Sequence, residues 1–250
     1  MVQRIAVVGG FGRMGAQVVR ALTEHGASAV PLSRRTGFDL SCSSREDLLR
    51  ALDGVDAVID CSDAADRKPA TFAAAATVLA EAAGTAGVAR LALVSIIGVD
   101  RPGLARLGYY QGKLAQERAL AAGTVPVTVV RTAQWYEFAD MMFRALPLGP
   151  LGRFGAAPLM RMQPVAGFAV ARRLASAVLT LSEPGKVEVA GPEPMTLADL
   201  IRRVGRARGV PARVLSVLVP GLRGFADGSL LPGPDAERDL TTVEDWAGAA

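Results

Sequence analysis

The chain has 250 residues, 50% hydrophobic and 21% charged, which excludes a disordered polymer and suffices for the core of one large domain or one domain with an appendage. Its longest uncharged runs, Pro69 to Ala80 and Ala119 to Val130, span twelve residues each, short of the roughly 20 that a membrane-spanning helix needs, so no membrane partner is expected. A formal charge of +4 with twelve basic against four acidic residues from Met141 to Gly224 is spread as pairs such as Arg172-Arg173 and Arg202-Arg203 on amphipathic patterns without interleaved aromatics, which argues against a nucleic-acid partner.

In chain order, a first strand over Arg4 to Gly9 follows Met1 too closely to leave room for a signal peptide, and a cytoplasmic protein is expected. The strand runs into Gly9-Gly10-Phe11-Gly12-Arg13-Met14-Gly15. Glycines at Gly9, Gly10, Gly12 and Gly15 permit a tight turn, close approach of backbone to a pyrophosphate, and contact of helix with strand. Free amides around Arg13 and Met14 at the helix start then receive the anion. The position between a strand and the helix Arg13 to Glu24 is the context that this weak pattern requires. His25, the only histidine, ends that helix as a solvated structural residue, and its isolation excludes most triads and metal centres.

The second strand, Ala27 to Ser33, ends in Ser33-Arg34-Arg35, and no acid occurs until Asp39. A carboxylate there would accept from the ribose hydroxyls of NAD, whereas guanidinium groups pair with a 2′-phosphate. NADP(H) is therefore the preferred coenzyme, with NAD(H) open and surface arginines as the alternative. Ser43-Ser44-Arg45-Glu46 fits a capping box, with Ser43 and Glu46 opening a helix to Leu52. Cys42 and Cys61 lack ligand spacing, so neither a disulfide framework nor zinc is expected.

Strands over Ala57 to Cys61, Leu91 to Ile97 and Val125 to Arg131 then alternate with helices over Thr71 to Ala83 and Gln111 to Ala121. Near-continuous apolar strands need helices on both faces, so the fold class is α/β, a Rossmann-like doubly wound parallel sheet. Of 28 basic residues only Lys68, Lys113 and Lys186 are lysines. Lys113 follows Tyr109 by four, on one helix face, where an ammonium stabilises a phenolate and lowers the tyrosine pKa. The pair reads as acid/base machinery, with an ordinary helix face carrying a Lys113–Glu117 pair as the alternative.

After Val130 the pattern loosens into a Gly/Pro/Met-rich stretch. A helix near Phe168 to Leu181, a strand over Val187 to Ala190, a helix over Leu197 to Arg208 and a strand over Arg213 to Val219 follow. The expected division is a dinucleotide-binding domain over residues 1–155 and a smaller substrate subdomain over 156–250, in one globular unit. Gln134, Trp135, Tyr136, Phe138 and Met142 are candidates for an adaptable apolar wall facing a hydrophobic small-molecule substrate. The alternative is a buried helical stripe at 135, 138 and 142. Arg144 is a lesser candidate for an anionic group, and a homodimer is permitted.

The glycine loop, Ser33-Arg34-Arg35, Asp39-Leu40, Val94 to Val99, Tyr109-x-x-x-Lys113, Val129 to Trp135 and Gln163-Pro164-Val165 together resemble the short-chain dehydrogenase/reductase superfamily, in its atypical, NmrA-like branch. The resemblance implies that Asp39-Leu40 lies beside adenine, that Cys61-Ser62 borders the adenosine ribose, and that Arg131 to Trp135, with Thr132, passes beneath nicotinamide. It implies further that Lys113 binds the nicotinamide ribose and that Tyr109 donates the proton. Two positions depart from the pattern. Ile97 stands where active reductases usually carry a hydroxyl that orients the substrate carbonyl, a role that Ser95 takes only in a different register. The helix start near Val165 to Ala171 lacks the acid that relatives tend to carry. The activity implied is reduction of a carbonyl or similar group by hydride transfer. A non-catalytic NADP-sensing regulator and a nicotinamide-retaining epimerase remain alternatives.

Overall fold

The computed structural model describes residues 2–40, 44–64, 66–180 and 183–249. In chain order the elements are β1 (Arg4–Val8), α1 (Arg13–Glu24), β2 (Ser28–Leu32), a 3-10 turn (Arg34–Thr36), α2 (Arg45–Ala51), β3 (Ala57–Asp60), α3 (Pro69–Thr85), β4 (Arg90–Ile96), α4 (Gly108–Ala121) and β5 (Val127–Thr132). There follow α5 (Tyr136–Ala145), β6 (Leu148–Gly149), β7 (Gly152–Pro158), β8 (Arg161–Met162), α6 (Gly167–Leu179), β9 (Gly185–Ala190), β10 (Met195–Thr196), α7 (Leu197–Ala207), β11 (Ala212–Val217), α8 (Arg223–Ala226), β12 (Glu237–Arg238) and α9 (Val243–Gly248).

Two compact units interleave along the chain. The first takes Met1–Ser95, Arg106–Arg131 and Val170–Val187; the second takes Ile96–Ala105, Thr132–Ala169 and Glu188–Ala250. In the first unit the strands lie in the order β9-β5-β4-β3-β1-β2. β1 sits in parallel register between β2 and β3, with Ile5 opposite both Ala29 and Ala57, and β3 pairs in parallel with β4. Every residue of β3 is buried, because a parallel strand covered on both faces has no solvent side to fill with polar residues. The sheet and its helices close over a core that includes Val8, Leu32, Val58, Leu79, Leu91, Leu93 and Leu120. This is the Rossmann-like arrangement, and its strand ends place the loops described below.

Pro69 opens α3 at its first turn, where a missing amide costs nothing and the fixed φ is already helical. α2 is opened by Ser44, whose hydroxyl accepts from the Asp47 amide while the Asp47 carboxylate accepts from the Ser44 amide. The expected box of Ser43 and Glu46 is thus displaced by one residue, with Ser43 itself outside the described residues, as are Cys42 and Leu181.

In the second unit β11 pairs in parallel with β7, which pairs in antiparallel fashion with β6. β8 pairs with β10, and β12 with the last residues of β9. α7 begins in a reciprocal cap of Thr196 and Asp199 and buries Leu197, Leu200, Ile201 and Val204 along one side. The start of α6 lacks an acid of its own, and the Glu137 carboxylate of α5 supplies the cap by accepting the Gly167 amide at 3.2 Å.

Candidate functional site

The phosphate loop joins β1 to α1, and its glycines answer to backbone geometry. Gly9 has φ +74°, and a Cβ there would stand 2.8 Å from the Cys61 carbonyl oxygen; one on Gly15 would stand 2.1 Å from the Gly9 oxygen. No side chain fits either place without moving the β1 and β3 exits or the helix start. Gly12 caps α1 with no side-chain hydrogen bond, and the first turn carries no acid. That helix start therefore keeps its positive end for an anion.

Beyond β2, the Ser33 hydroxyl accepts from the Arg35 amide at 3.1 Å, the Thr36 hydroxyl donates to the Ser33 oxygen at 2.8 Å, and Gly37 closes the turn at φ +77°. Arg34 and Arg35 are thus carried on a small self-bonded turn. A cleft of about 510 Å³ in the first unit is lined by Gly9, Gly12, Ser33, Arg34, Arg35, Asp39, Leu40, Cys61 and Ser62. Nine of the residues expected from sequence to hold the coenzyme meet there. Gly10, Arg13, Met14 and Gly15 belong to the same loop and helix start but are not part of this lining, and neither is Lys113. The lining also includes Phe11, Phe38, Asp63, Arg67, Phe72 and Gln116, none of which the sequence patterns single out.

α4 begins at Gly108, three residues earlier than its apolar pattern indicates, so Tyr109 and Lys113 both lie on it. Gly112 lets α4 approach α3 so closely that a Cβ would meet the Phe72 ring at 2.3 Å. Phe72 touches both members of the pair: the Lys113 ammonium is 5.7 Å from its centroid, and the Tyr109 ring packs on it edge-on at 6.2 Å. Lys113 is buried, and its Nζ donates to Gln116 Oε1 at 2.6 Å; Gln116 Nε2 donates in turn to Asp60 Oδ2 at 2.8 Å. Asp60, also buried, accepts the Ser62 amide through its other oxygen. Burial pulls the Lys113 pKa below the ordinary lysine value, against the opposing pull of Asp60 and Asp63. The spacing of three between Lys113 and Gln116 and the lone acid closing β3 are signals from which this network could have been read.

The expected lowering of the Tyr109 pKa by Lys113 is corrected by this geometry. Burial, aided by the Asp63 carboxylate, pushes the phenol up to about 12, and the cation that opposes the rise is Arg67. The Arg67 guanidinium lies 5.5 Å from the Tyr109 ring centroid. Among the described residues Arg67 is the only non-glycine with a positive φ, 53°, a left-handed conformation that costs an arginine energy. Burial also pushes the Cys61 thiol up, so Cys61 is a neutral wall residue and not a nucleophile.

Ser95 is buried, and its hydroxyl donates to Glu117 Oε1 at 2.5 Å. Glu117 also receives Arg131 Nε at 3.0 Å and Nη2 at 2.8 Å. The three form a buried, charge-assisted cluster joining β4, α4 and β5, with the exposed Lys186 3.8 Å from the same carboxylate. Glu117 is therefore bound to Arg131, and not to Lys113 as in the alternative reading of that helix face.

In the second unit the Thr132 hydroxyl donates to the Ala133 oxygen and accepts from Trp135 Nε1 at 3.0 Å. α5 buries Tyr136, Ala139 and Phe143. Tyr136 is fully buried, with its hydroxyl donating to the Thr241 oxygen at 2.9 Å, so it is a core residue and not an exposed pocket wall. The stripe expected at 135, 138 and 142 is instead half-buried, and Gln134 Oε1 is buried with no hydrogen-bond partner among the described residues. Arg144 pairs with Asp140 at 2.8 Å. Ile97 is fully buried, and its amide donates to the Thr132 oxygen.

A family model described as NAD(P)H-binding matches residues 9–144. No curated protein matches the sequence closely enough to count as a relative. Among solved structures, the NADPH-dependent quinone oxidoreductase of Escherichia coli, complexed with NADPH, is similar at TM-score 0.74 and 19% identity over 98% of this chain and 99% of that one. The UDP-N-acetylglucosamine 4-epimerase of Bacillus cereus is similar at 0.73 and 17% over 99% and 96%. The dTDP-4-dehydrorhamnose reductase of Bacillus anthracis, in complex with NADP, is similar at 0.74 and 14% over 100% and 98%. At these identities the three show a shared Rossmann-type fold, and no helix among the described residues is long and apolar enough to cross a membrane. The family match spans the phosphate loop, the cleft and α4, more than half of the sequence, and the chain belongs to the NAD(P)H-binding family.

Proposed function

We propose that the chain is an NADP(H)-dependent reductase acting on a carbonyl or similar group of a hydrophobic small molecule. The observation that carries this reading is the shared cleft. It brings an uncapped helix start and Gly12 together with Arg34 and Arg35 on a self-bonded turn, with no carboxylate from Ser33 to Phe38. A dinucleotide phosphate suits the first and a 2′-phosphate suits the guanidinium pair. The residues that would hold the coenzyme are Gly9, Gly12, Ser33 to Arg35, Asp39, Leu40, Cys61 and Ser62. When bound, the coenzyme supplies the hydride.

Tyr109 keeps its proton throughout the neutral range, since burial raises its pKa to about 12, and a protonated phenol is the state that the proposed proton donor needs. Gln116 orients the Lys113 ammonium, and Asp60 orients Gln116. Ser95 is left out of the reacting set because its hydroxyl is committed to Glu117. The hydrophobic substrate is supported by the half-buried Trp135, Phe138 and Met142.

Titration of NADPH and NADH, followed by turnover with a panel of quinones and aldehydes, tests this. NADPH should bind more tightly, and Tyr109→Phe should abolish turnover while changing NADPH affinity by less than about threefold, since truncating the hydroxyl leaves the cleft lining intact. Equal affinities would refute the NADP assignment, and turnover retained by Tyr109→Phe would refute the proton donor. A second reading, a coenzyme-binding regulator without turnover, is favoured by the buried Ile97, which offers no hydroxyl for a carbonyl. The fold serves reductases and epimerases alike and does not choose between them.

A further inference from the structure

Phe11 occupies a variable position of the phosphate loop and is 44% exposed. An aromatic ring left in water on a turn loses the burial that usually justifies its size. Here the ring carries a partner: the Arg35 guanidinium lies 4.7 Å from its centroid. Both residues line the same cleft, with Ser33 and Arg34 beside them. The Arg35 backbone is already immobilised, since its amide is bound by the Ser33 hydroxyl and the turn is closed by Thr36 and Gly37.

The stack completes that immobilisation at the other end of the side chain. A free arginine loses several rotamers when it engages an anion, and that ordering cost opposes binding. A guanidinium lying over an aromatic ring has given up part of this freedom beforehand, and its N–H edges stay available for a phosphate in a two-bonded fork. A coenzyme with a phosphate on its adenosine ribose would gain from this pre-orientation, whereas one with a bare hydroxyl would not.

We propose that Phe11 is a positioning residue that sets selectivity for NADPH over NADH by holding the Arg35 guanidinium in place. The inference rests on the NADP(H) reading above and adds a determinant that lies outside the glycines and arginines of the loop pattern.

Equilibrium binding of NADPH and of NADH to the full chain, followed by calorimetry, provides the test. Phe11→Leu should lower the ratio of NADPH to NADH affinity by about two- to fivefold, the size of an exposed cation–π contact. The loss should fall more heavily on NADPH than on NADH, because only NADPH carries the phosphate that the Arg35 guanidinium engages. Phe11→Trp, which keeps an aromatic face, should retain the ratio. In an Arg35→Ala background, Phe11→Leu should change the ratio no further, because the two residues act through one contact. A ratio that survives Phe11→Leu overturns the inference while leaving the NADP(H) reading intact, as does an equal loss with Arg35 already removed. A wild-type chain that binds NADH as tightly as NADPH, or binds neither, overturns both.

Discussion

Glu117 anchors a buried ion pair in the first unit. Its carboxylate is 2% exposed and accepts Ser95 Oγ, Arg131 Nε and Arg131 Nη2, while the Arg131 side chain is 8% exposed. Replacing one member of such a pair leaves the other charge buried and uncompensated, which costs about 3–5 kcal/mol. Glu117→Gln keeps the shape and removes only the charge, so a loss of that size follows; Arg131→Met should lose a similar amount. Lys186 rescues little, because an exposed ammonium at 3.8 Å contributes about 0–1 kcal/mol. Removing both charges together in Glu117→Leu with Arg131→Met should recover most of the single-variant loss, because a well-packed apolar pair replaces an ion pair at little net cost, leaving about 1–3 kcal/mol for the buried Ser95 hydroxyl that loses its acceptor. Ser95→Ala should lose about 1.5–3 kcal/mol, the value of a hydrogen bond to a charged group. Urea unfolding followed by far-ultraviolet circular dichroism reads these changes as shifts in midpoint. Single variants that each lose under about 1 kcal/mol, or a double variant whose loss equals the sum of the singles, would refute the reasoning. So would a Ser95→Ala protein that keeps full stability and loses turnover, since the hydroxyl would then belong to the reaction.

Two further outcomes are expected. Gly112→Ala places a Cβ 2.3 Å from the Phe72 ring; it should destabilise by about 1–3 kcal/mol, as overpacking of a buried site does, and should also weaken NADPH binding because Phe72 lines the cleft. An unchanged melting temperature would contradict the close approach of α3 and α4. Tyrosinate absorbance on alkaline titration should show Tyr109 ionising near 12 and not near 10. Because the folded state raises this pKa, the stability it contributes is complete below the unfolded value and is lost as pH rises through the folded one. Tyr109→Phe should therefore flatten the fall in stability between about pH 10 and pH 12; a fall unchanged in the variant would count against a buried phenol.

Much of the first unit was legible because its rules are local. Apolar runs of four to six residues alternate with helical patterns, and α1 begins and ends at the residues that its pattern indicates, Arg13 and Glu24. The short strands β6, β7, β8, β10 and β12 escaped notice. They are two to seven residues long, and apart from the adjacent β6–β7 pair they are held by pairing partners distant in sequence. The helix cap at Ser44 was misplaced by one residue because Ser43 and Ser44 offer the same hydroxyl, and only the backbone entry angle chooses between them.

By itself, the sequence determined the parallel α/β class, the phosphate loop, and the arginine pair that follows the second strand. Each depends on residues adjacent along the chain, where spacing already sets which side chains share a turn or a face. Tertiary structure decided what those residues touch. It packed Phe72 against both Tyr109 and Lys113, raised the phenol in place of lowering it, and drew Ser95 and Arg131 onto Glu117. It also laid Arg35 over Phe11. These outcomes depend on burial and on partners from other strands and helices, and the strength of a charge or hydrogen bond is set by the dielectric and by the neighbours that the completed fold assembles around it.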